Sequence, residues 1–368
     1  MRILAIESSC DETAAAVVEN GTKIISTVVA TSHAMHEKYG GIVPEVAARM
    51  QLESVIPTIT ESLLPLGYAS QSMMEKIREH VDAIAVTVGP GLIGSLLVGV
   101  EAAKTIAFVT NKPIIPVNHV LAHMYANFVT PQQRNENNTA GTYEKPGIQF
   151  PAISLVVSGG HTELYLLNNE KEMRWLGGTI DDAAGECFDK TARLLGFGHG
   201  GGLAIQEAAT RYKKTDISPL PGKALPIPML SNEHVLDFSF SGLKTAILRK
   251  VTALGEQHLL SDDMVAALSY EVQETITDVL VKKTLKAVAL HNAKAILLSG
   301  GVSANLRLRE KFLQKIALLA APVDFHVPPV SLCTDNAVYI ASYAHFRGVP
   351  VPVTEVNATP DLSVEVLL

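Results

Sequence analysis

The chain has 368 residues, of which 47% are apolar and 18% charged. That composition excludes a disordered or fibrous protein and leaves room for about two domains or one two-lobed unit. The formal net charge of −7 excludes a protein that holds nucleic acid by bulk electrostatics, and leaves open a local basic patch or a basic partner.

No run reaches the roughly 18 apolar residues of a membrane span. The N-terminus enters a strand directly, without a signal or Arg-rich presequence pattern, so a cytoplasmic protein is expected. Cys10, Cys187 and Cys333 are far apart and form no C-x-x-C, which argues against a disulfide framework or a cysteine zinc site.

In chain order, Ile3–Ile6 and Ala14–Val18 read as strands around the polar turn Glu7–Thr13. Lys38–Glu45 is a Gly-rich loop with Pro44 at a helix start, and a helix is expected from about Glu45 to Leu64. Val81–Val88 reads as a buried strand, and Gly89–Ser95 opens a small-residue helix that runs to about Val109. A short strand over Ile114–Val117 precedes a helix beginning near His119. Residues 130–149 are polar and unpatterned, as expected of an exposed loop between lobes. A second strand–turn–strand follows over Ile153–Leu167, then helical patterning at Asp182–Leu195 and a long helix over Asp262–His291 with period near 3.6. Ala295–Leu298 is a strand that leads through Ser299–Asn305 into a basic helix, and a small helix is expected over Asp335–Phe346, folding back onto the first lobe.

The two strand–turn–strand segments are alike. Aligning Thr13 with Thr162 gives an offset of 149 residues. Small and hydroxyl residues in both turns suit backbone N–H groups to phosphate oxygens, so a nucleotide held between two α/β lobes is the reading. Two ordinary hairpins of one sheet are the plainer alternative.

Several residues carry chemistry. His119 and His123 are spaced i, i+4 on one helical face and can chelate a divalent metal. A zinc protease would place Glu after the first His as its base; Val120 stands there. Asp335 sits at an expected helix N-terminus, where it reads most simply as an N-cap. Asp11 and Glu12 are adjacent acids that can hold Mg²⁺ beside a bound nucleotide, or orient or deprotonate an attacking group; a solvated turn is the plainer reading. Asp182 reads as a cap, and Asp189 is able to meet a ribose hydroxyl. Gly200–Gly202 permits close backbone approach to a ligand, or is a surface loop. Gly300–Asn305 follows a strand and opens a helix, so its amides suit a nucleotide and Asn305 a base or sugar. Phe238 and Phe240 read as core residues, and Lys244, Arg249 and Lys250 as a modest solvated basic patch.

Taken in order, Glu7–Thr13, Tyr39–Arg49, Gly89–Gly99, His119–His123, Val156–Thr162, Ile180–Thr191, Asp237–Thr245, Gly300–Asn305 and Cys333–Ala337 resemble the TsaD family of the ASKHA (sugar kinase–Hsp70–actin) superfamily, in its bacterial type. The resemblance implies a two-lobed α/β fold with RNase H-like mixed sheets: lobe I over 1–130, with 330–368 returning to it, and lobe II over 150–329. It implies transfer of threonylcarbamoyl from threonylcarbamoyl-adenylate to N6 of the adenosine 3′ of the anticodon, position 37, in tRNAs reading codons that begin with A, with AMP released. It further implies one iron or zinc ion on His119, His123 and Asp335, and adenylate contacts from Val156, Val157, Ser158, Gly159, Gly160, Asp189, Gly202 and Asn305. The implied partners are tRNA, a TsaB-like paralogue and a TsaE-like P-loop ATPase, with no membrane. The chain departs from the family pattern at Gln51, where His is usual, and at His199–Leu203, which lacks two prolines and so should be more flexible. A small-molecule kinase of the same superfamily and a non-catalytic scaffold paralogue are the competing functions.

Overall fold

The computed structural model describes residues 1–32, 35–36, 42–129, 147–198, 200–212, 220, 225–226, 235–254 and 260–365. The loop at Lys38–Gly41, His199 and most of the polar stretch after residue 130 lie outside the described residues. The chain divides into two compact units, one of Met1–Gly147 with Ser331–Leu368, the other of Ile148–Val330.

In the first unit a five-stranded sheet runs β3-β2-β1-β4-β5, from β1 (Arg2–Glu7), β2 (Glu12–Glu19), β3 (Lys23–Thr31), β4 (Ala83–Gly89) and β5 (Ile114–Asn118). The β1–β2 and β2–β3 pairs are antiparallel; β1–β4 and β4–β5 are parallel. β4 is buried along its whole length, as a central parallel strand must be, and its sequence is accordingly an almost unbroken apolar run. β3, at the edge, buries only Ile24 and alternates exposed and half-buried positions over Thr27–Thr31. Leu4, Ile6, Ala15 and Val17 share a core with Val55 and Ile59 of α1 (Pro44–Ser62) and Val100 and Ala103 of α3 (Ile93–Thr110), while α2 (Met73–His80) adds Ile77. Pro44 starts α1, where its missing N–H costs nothing.

By length and composition α3 is apolar enough to cross a membrane, with mean hydropathy 1.5 over 18 residues, which corrects the reading that no segment reaches this limit. It is a core helix interrupted by Glu101 and Lys104, and 44% of it is buried within the protein. Its backbone lies so close to the β1–β2 turn that a Cβ on Gly99 would stand 2.2 Å from Ser8 Oγ.

The second unit repeats the topology. Its sheet runs β10-β9-β6-β7-β8, from β6 (Ala152–Val157), β7 (Thr162–Leu167), β8 (Met173–Gly178), β9 (Ala295–Ser299) and β10 (Asp324–His326). Pairs β6–β7 and β7–β8 are antiparallel, β6–β9 and β9–β10 parallel. The 149-residue offset carries one hairpin register onto the other: Glu7 faces Ala14, and Val156 faces Glu163. The core gathers Ile153, Leu155 and Leu164 against Phe188 of α5 (Ala184–Leu194), Ile205 of α6 (Gly201–Arg211), Ile247 of α7 (Ser241–Ala253), Ile276 and Leu280 of α8 (Asp262–His291), and Phe312 of α9 (Leu306–Ile316). Phe238 and Phe240 are fully buried there.

Three local readings change. The helix at His119 is a single turn, α4 (His119–His123), capped by Asn118 and continued as a 3₁₀ turn over Met124–Asn127. Gly200–Gly202 is no loop: Gly200 is the N-cap of α6 in the left-handed region at φ +78°, and Gly201 and Gly202 form its first turn. Asp182 is not a cap; Ala183 holds that position, and Asp182 pairs with Lys190 at 3.0 Å and Lys244 at 3.2 Å. With Lys250 on Glu271 at 2.7 Å as well, two of the three cations of the expected patch, Lys244 and Lys250, are in ion pairs.

Gly99→Ala should destabilise the protein by about 1–3 kcal/mol, because the methyl group must displace Ser8. A lower urea midpoint at unchanged m-value is the expected result.

Candidate metal centre and phosphate turns

β5 ends at Asn118, whose Oδ1 accepts from Val120 N at 3.0 Å and Leu121 N at 3.2 Å. This cap starts a helical turn where the strand stops, so His119 and His123 emerge on one face with ring centroids 4.7 Å apart. Both are buried. Asp335 reaches the pair from the far end of the sequence. It precedes α10 (Ala337–Phe346), which packs on β1 and β2. Asn336, not Asp335, caps that helix, accepting from Val338 N at 3.0 Å. The expected capping role is thereby filled, and the Asp335 carboxylate turns to the histidines.

Asp335 Oδ1 lies 3.6 Å from His119 Nε2 and 3.5 Å from His123 Nε2. A tetrahedral ion with bonds near 2.1 Å sets its donors about 3.4 Å apart, so these separations fit one divalent ion. The three ligand atoms all lie within 4.8 Å of one another.

Glu7, the last residue of β1, completes the arrangement and was not singled out by sequence reasoning. It is fully buried and accepts from His119 Nδ1 at 3.0 Å, Thr87 Oγ1 at 2.6 Å and Ser9 N at 2.6 Å. The Nδ1 bond assigns the proton to that nitrogen and leaves Nε2 for a metal, the arrangement in which a carboxylate orients a histidine ligand. Burial opposes the Glu7 charge, but His119 and the hydrogen bonds from Thr87 and Ser9 hold its pKa below the usual carboxylate range. Burial likewise opposes the His119 cation; Glu7 and Asp335 outweigh it and raise His119 to about 9. The site thus demands positive charge, supplied by a proton or by a metal. Tyr339 walls it in, with its ring 4.5 Å from that of His123 and its hydroxyl 3.4 Å from Asp335 Oδ1.

Asp11 and Glu12 are half-buried beside this cluster. Burial first, then the charges of Asp335 and Asp11, push Glu12 up to about 10. Ser9 Oγ lies 3.3 Å from His119 Nδ1, which ties the acidic turn directly to the histidine.

In the second unit the turn residues split into two sets. Val156 and Val157 are fully buried strand residues, whereas Gly159 and Gly160 are exposed, and no described atom stands within 4 Å of a Cβ on either. Ser158 O accepts from Gly185 N at 3.2 Å, and Thr162 Oγ1 accepts from Ala184 N at 2.9 Å, so the turn rests on the start of α5. Gly300, at φ +86°, lies against the same turn: a Cβ there would meet Val157 O at 2.4 Å. A Cβ on Gly201 would likewise stand 2.4 Å from Asp189 Oδ1, while Gly202 is open. Asn305 is also tied into the fold. Its side chain caps α9 through Leu308 N at 3.0 Å and donates to Gln273 Oε1 at 3.1 Å, so both ends are engaged within the protein.

Glu7→Gln should lower metal affinity about 10–100-fold while the fold is kept. Chelator competition with circular dichroism as the control measures both.

The TsaD family description, tRNA N6-adenosine threonylcarbamoyltransferase, matches residues 23–342. A protein of that name from Symbiobacterium thermophilum is 42% identical over 363 residues, covering 98% of this chain and 96% of its own. One from Moorella thermoacetica is 43% identical, covering 98% and 96%. Among solved structures, T. kodakarensis HypF matches with a TM-score of 0.55 at 12% identity, over 93% of this chain and 46% of that one, a likeness of fold alone. From the family match and the near full-length identity to these relatives, the chain belongs to the TsaD family of tRNA N6-adenosine threonylcarbamoyltransferases.

Proposed function

We propose that this protein is a cytoplasmic enzyme that transfers threonylcarbamoyl from threonylcarbamoyl-adenylate to N6 of adenosine 37 in tRNAs reading codons that begin with A. The observation that carries the reading is the convergence of His119, His123 and Asp335 in a protein of this family. A kinase of the same fold has no use for that triad.

The N6 amine forms a bond to the carbamoyl carbon, the bond from that carbon to the phosphate oxygen breaks, and AMP leaves. The N6 proton must be taken up, and the acid pair is proposed to receive it. Either Asp11 or Glu12 can serve as that acceptor. The adenine amine is a weak nucleophile, so positioning contributes much of the rate. An iron or zinc ion on His119, His123 and Asp335 would supply a Lewis acid for the adenylate's phosphate or carboxylate oxygens. The exposed Ser158–Gly160 turn, with Gly202 and Asp189, is proposed to hold the adenylate through backbone amides and a ribose contact.

A net charge of −7 is a poor match to tRNA, and helpers that share its binding resolve this. A TsaB-like paralogue and a TsaE-like P-loop ATPase are the proposed partners. Exposed Leu52 and Ile56 on α1, with Ile93 and Leu97 on α3, support these helices as the paralogue's docking face.

Incubation with metal, threonylcarbamoyl-adenylate and unmodified tRNA, followed by mass spectrometry of the nucleosides, should give threonylcarbamoyl-adenosine with wild type and none with His119→Ala. Asp11→Ala should lose about 10²–10⁴-fold in rate with adenylate and tRNA binding intact; a wild-type rate would remove Asp11 from the mechanism. A crosslink map that places the paralogue on the second unit would refute the docking face.

A further inference from the structure

The acidic turn at Ser8–Glu12 is held by its carbonyl groups. Leu92 N donates to Ser9 O at 2.8 Å, and Ser32 donates to Asp11 O through Oγ at 2.8 Å. Ser95 of α3 donates from Oγ to Cys10 O at 2.9 Å and accepts from Ser8 Oγ at 2.9 Å. Three carbonyls, that of Cys10 among them, converge on one further side chain. Gln51 Nε2 faces Cys10 O at 2.9 Å, Glu12 O at 3.1 Å and Ser8 O at 3.5 Å.

Gln51 is only 1% exposed. Carbonyl oxygens can only accept, so the amide must turn its NH₂ toward them, and its orientation is fixed by that requirement. Its Oε1 is buried without a hydrogen-bond partner among the described residues, and the residue lines a small pocket with Asp11, Thr13, Met50 and Ser54. One helical turn on, Ser54 Oγ donates to Thr13 Oγ1 at 3.0 Å, so a single face of α1 grips both ends of the segment.

We propose that Gln51 is a positioning residue for threonylcarbamoyl transfer: it gathers the carbonyls of Ser8, Cys10 and Glu12 so that the Asp11 and Glu12 carboxylates are presented in one fixed geometry. The inference rests on the reading that this acid pair serves the transfer step. A single neutral amide brings two N–H groups to three convergent oxygens; without it those oxygens repel one another and the turn relaxes. A shift on the order of 1 Å in a catalytic group costs about 10²-fold in rate.

Gln51→Met keeps length and volume and removes the donors. Expected are a kcat about 10–100-fold lower, unchanged KM for tRNA and adenylate, unchanged metal affinity, and faster hydrogen exchange confined to residues 8–13. Gln51→His, which restores an N–H of similar reach, should recover most of kcat and of the exchange protection. A Gln51→Met enzyme with wild-type kcat would overturn the proposal, as would a kcat loss matched by loss of metal affinity and melting temperature, which marks a structural role only. Wild-type protein in the same assay separates the two readings. If it transfers nothing, the function reading fails, whereas an active wild type beside an equally active variant sinks only the role of Gln51.

Discussion

One buried carboxylate organises the first unit. Glu7 ends β1 with no exposure to solvent, and a charge in that position must be compensated or the strand could not place it there. Its partners come from three directions: Thr87 on the neighbouring parallel strand, Ser9 in the following turn, and His119 after β5. The carboxylate therefore joins sheet, turn and histidine pair. The parallel β1–β4–β5 order matters because it brings the ends of three strands together, so that residues 112 positions apart share a hydrogen bond.

The two units are built to one plan and diverge at the turns. The same strand order and the same hairpin register recur, yet the first turn carries Asp11 and Glu12 where the second carries Gly160 and His161. The first is tied down through its carbonyls by Gln51, Ser32, Ser95 and Leu92, a network that holds backbone and not the Asp11 and Glu12 carboxylates. The second rests on the start of α5 and keeps bare backbone at its tip. One strand order thus carries acids at the turn of the first unit and bare glycine backbone at the turn of the second.

Packing explains why local signals sometimes misled. The helix read from His119 onward begins there, but Asn118 caps a single turn that passes at once into 3₁₀ geometry. Three consecutive glycines read as a loop, whereas the left-handed conformation of Gly200 lets α6 begin there, with Gly201 pressed on Asp189. Asp335 read as a cap because acids favour helix starts; Asn336, one residue later, took that position. Asn305 offered an amide to a ligand in the sequence and serves as a cap with both ends engaged.

The sequence by itself determined strands β1, β2, β4 to β7 and β9, the long helix over Asp262–His291, the 149-residue repeat and the histidine pair, because each is written in local periodicity or spacing, whereas the edge strands β3, β8 and β10 left no such signal. Only the tertiary structure decided what surrounds them. Asp335 meets His123 across 212 positions of sequence, and Gln51 meets Cys10 across 41. Neither pairing leaves a local pattern, since it depends on α10 returning to β1 and β2 and on α1 lying over β2. Glu7 looked like an ordinary strand end. Its role follows from complete burial beside His119, a property that belongs to the folded sheet and to no stretch of sequence.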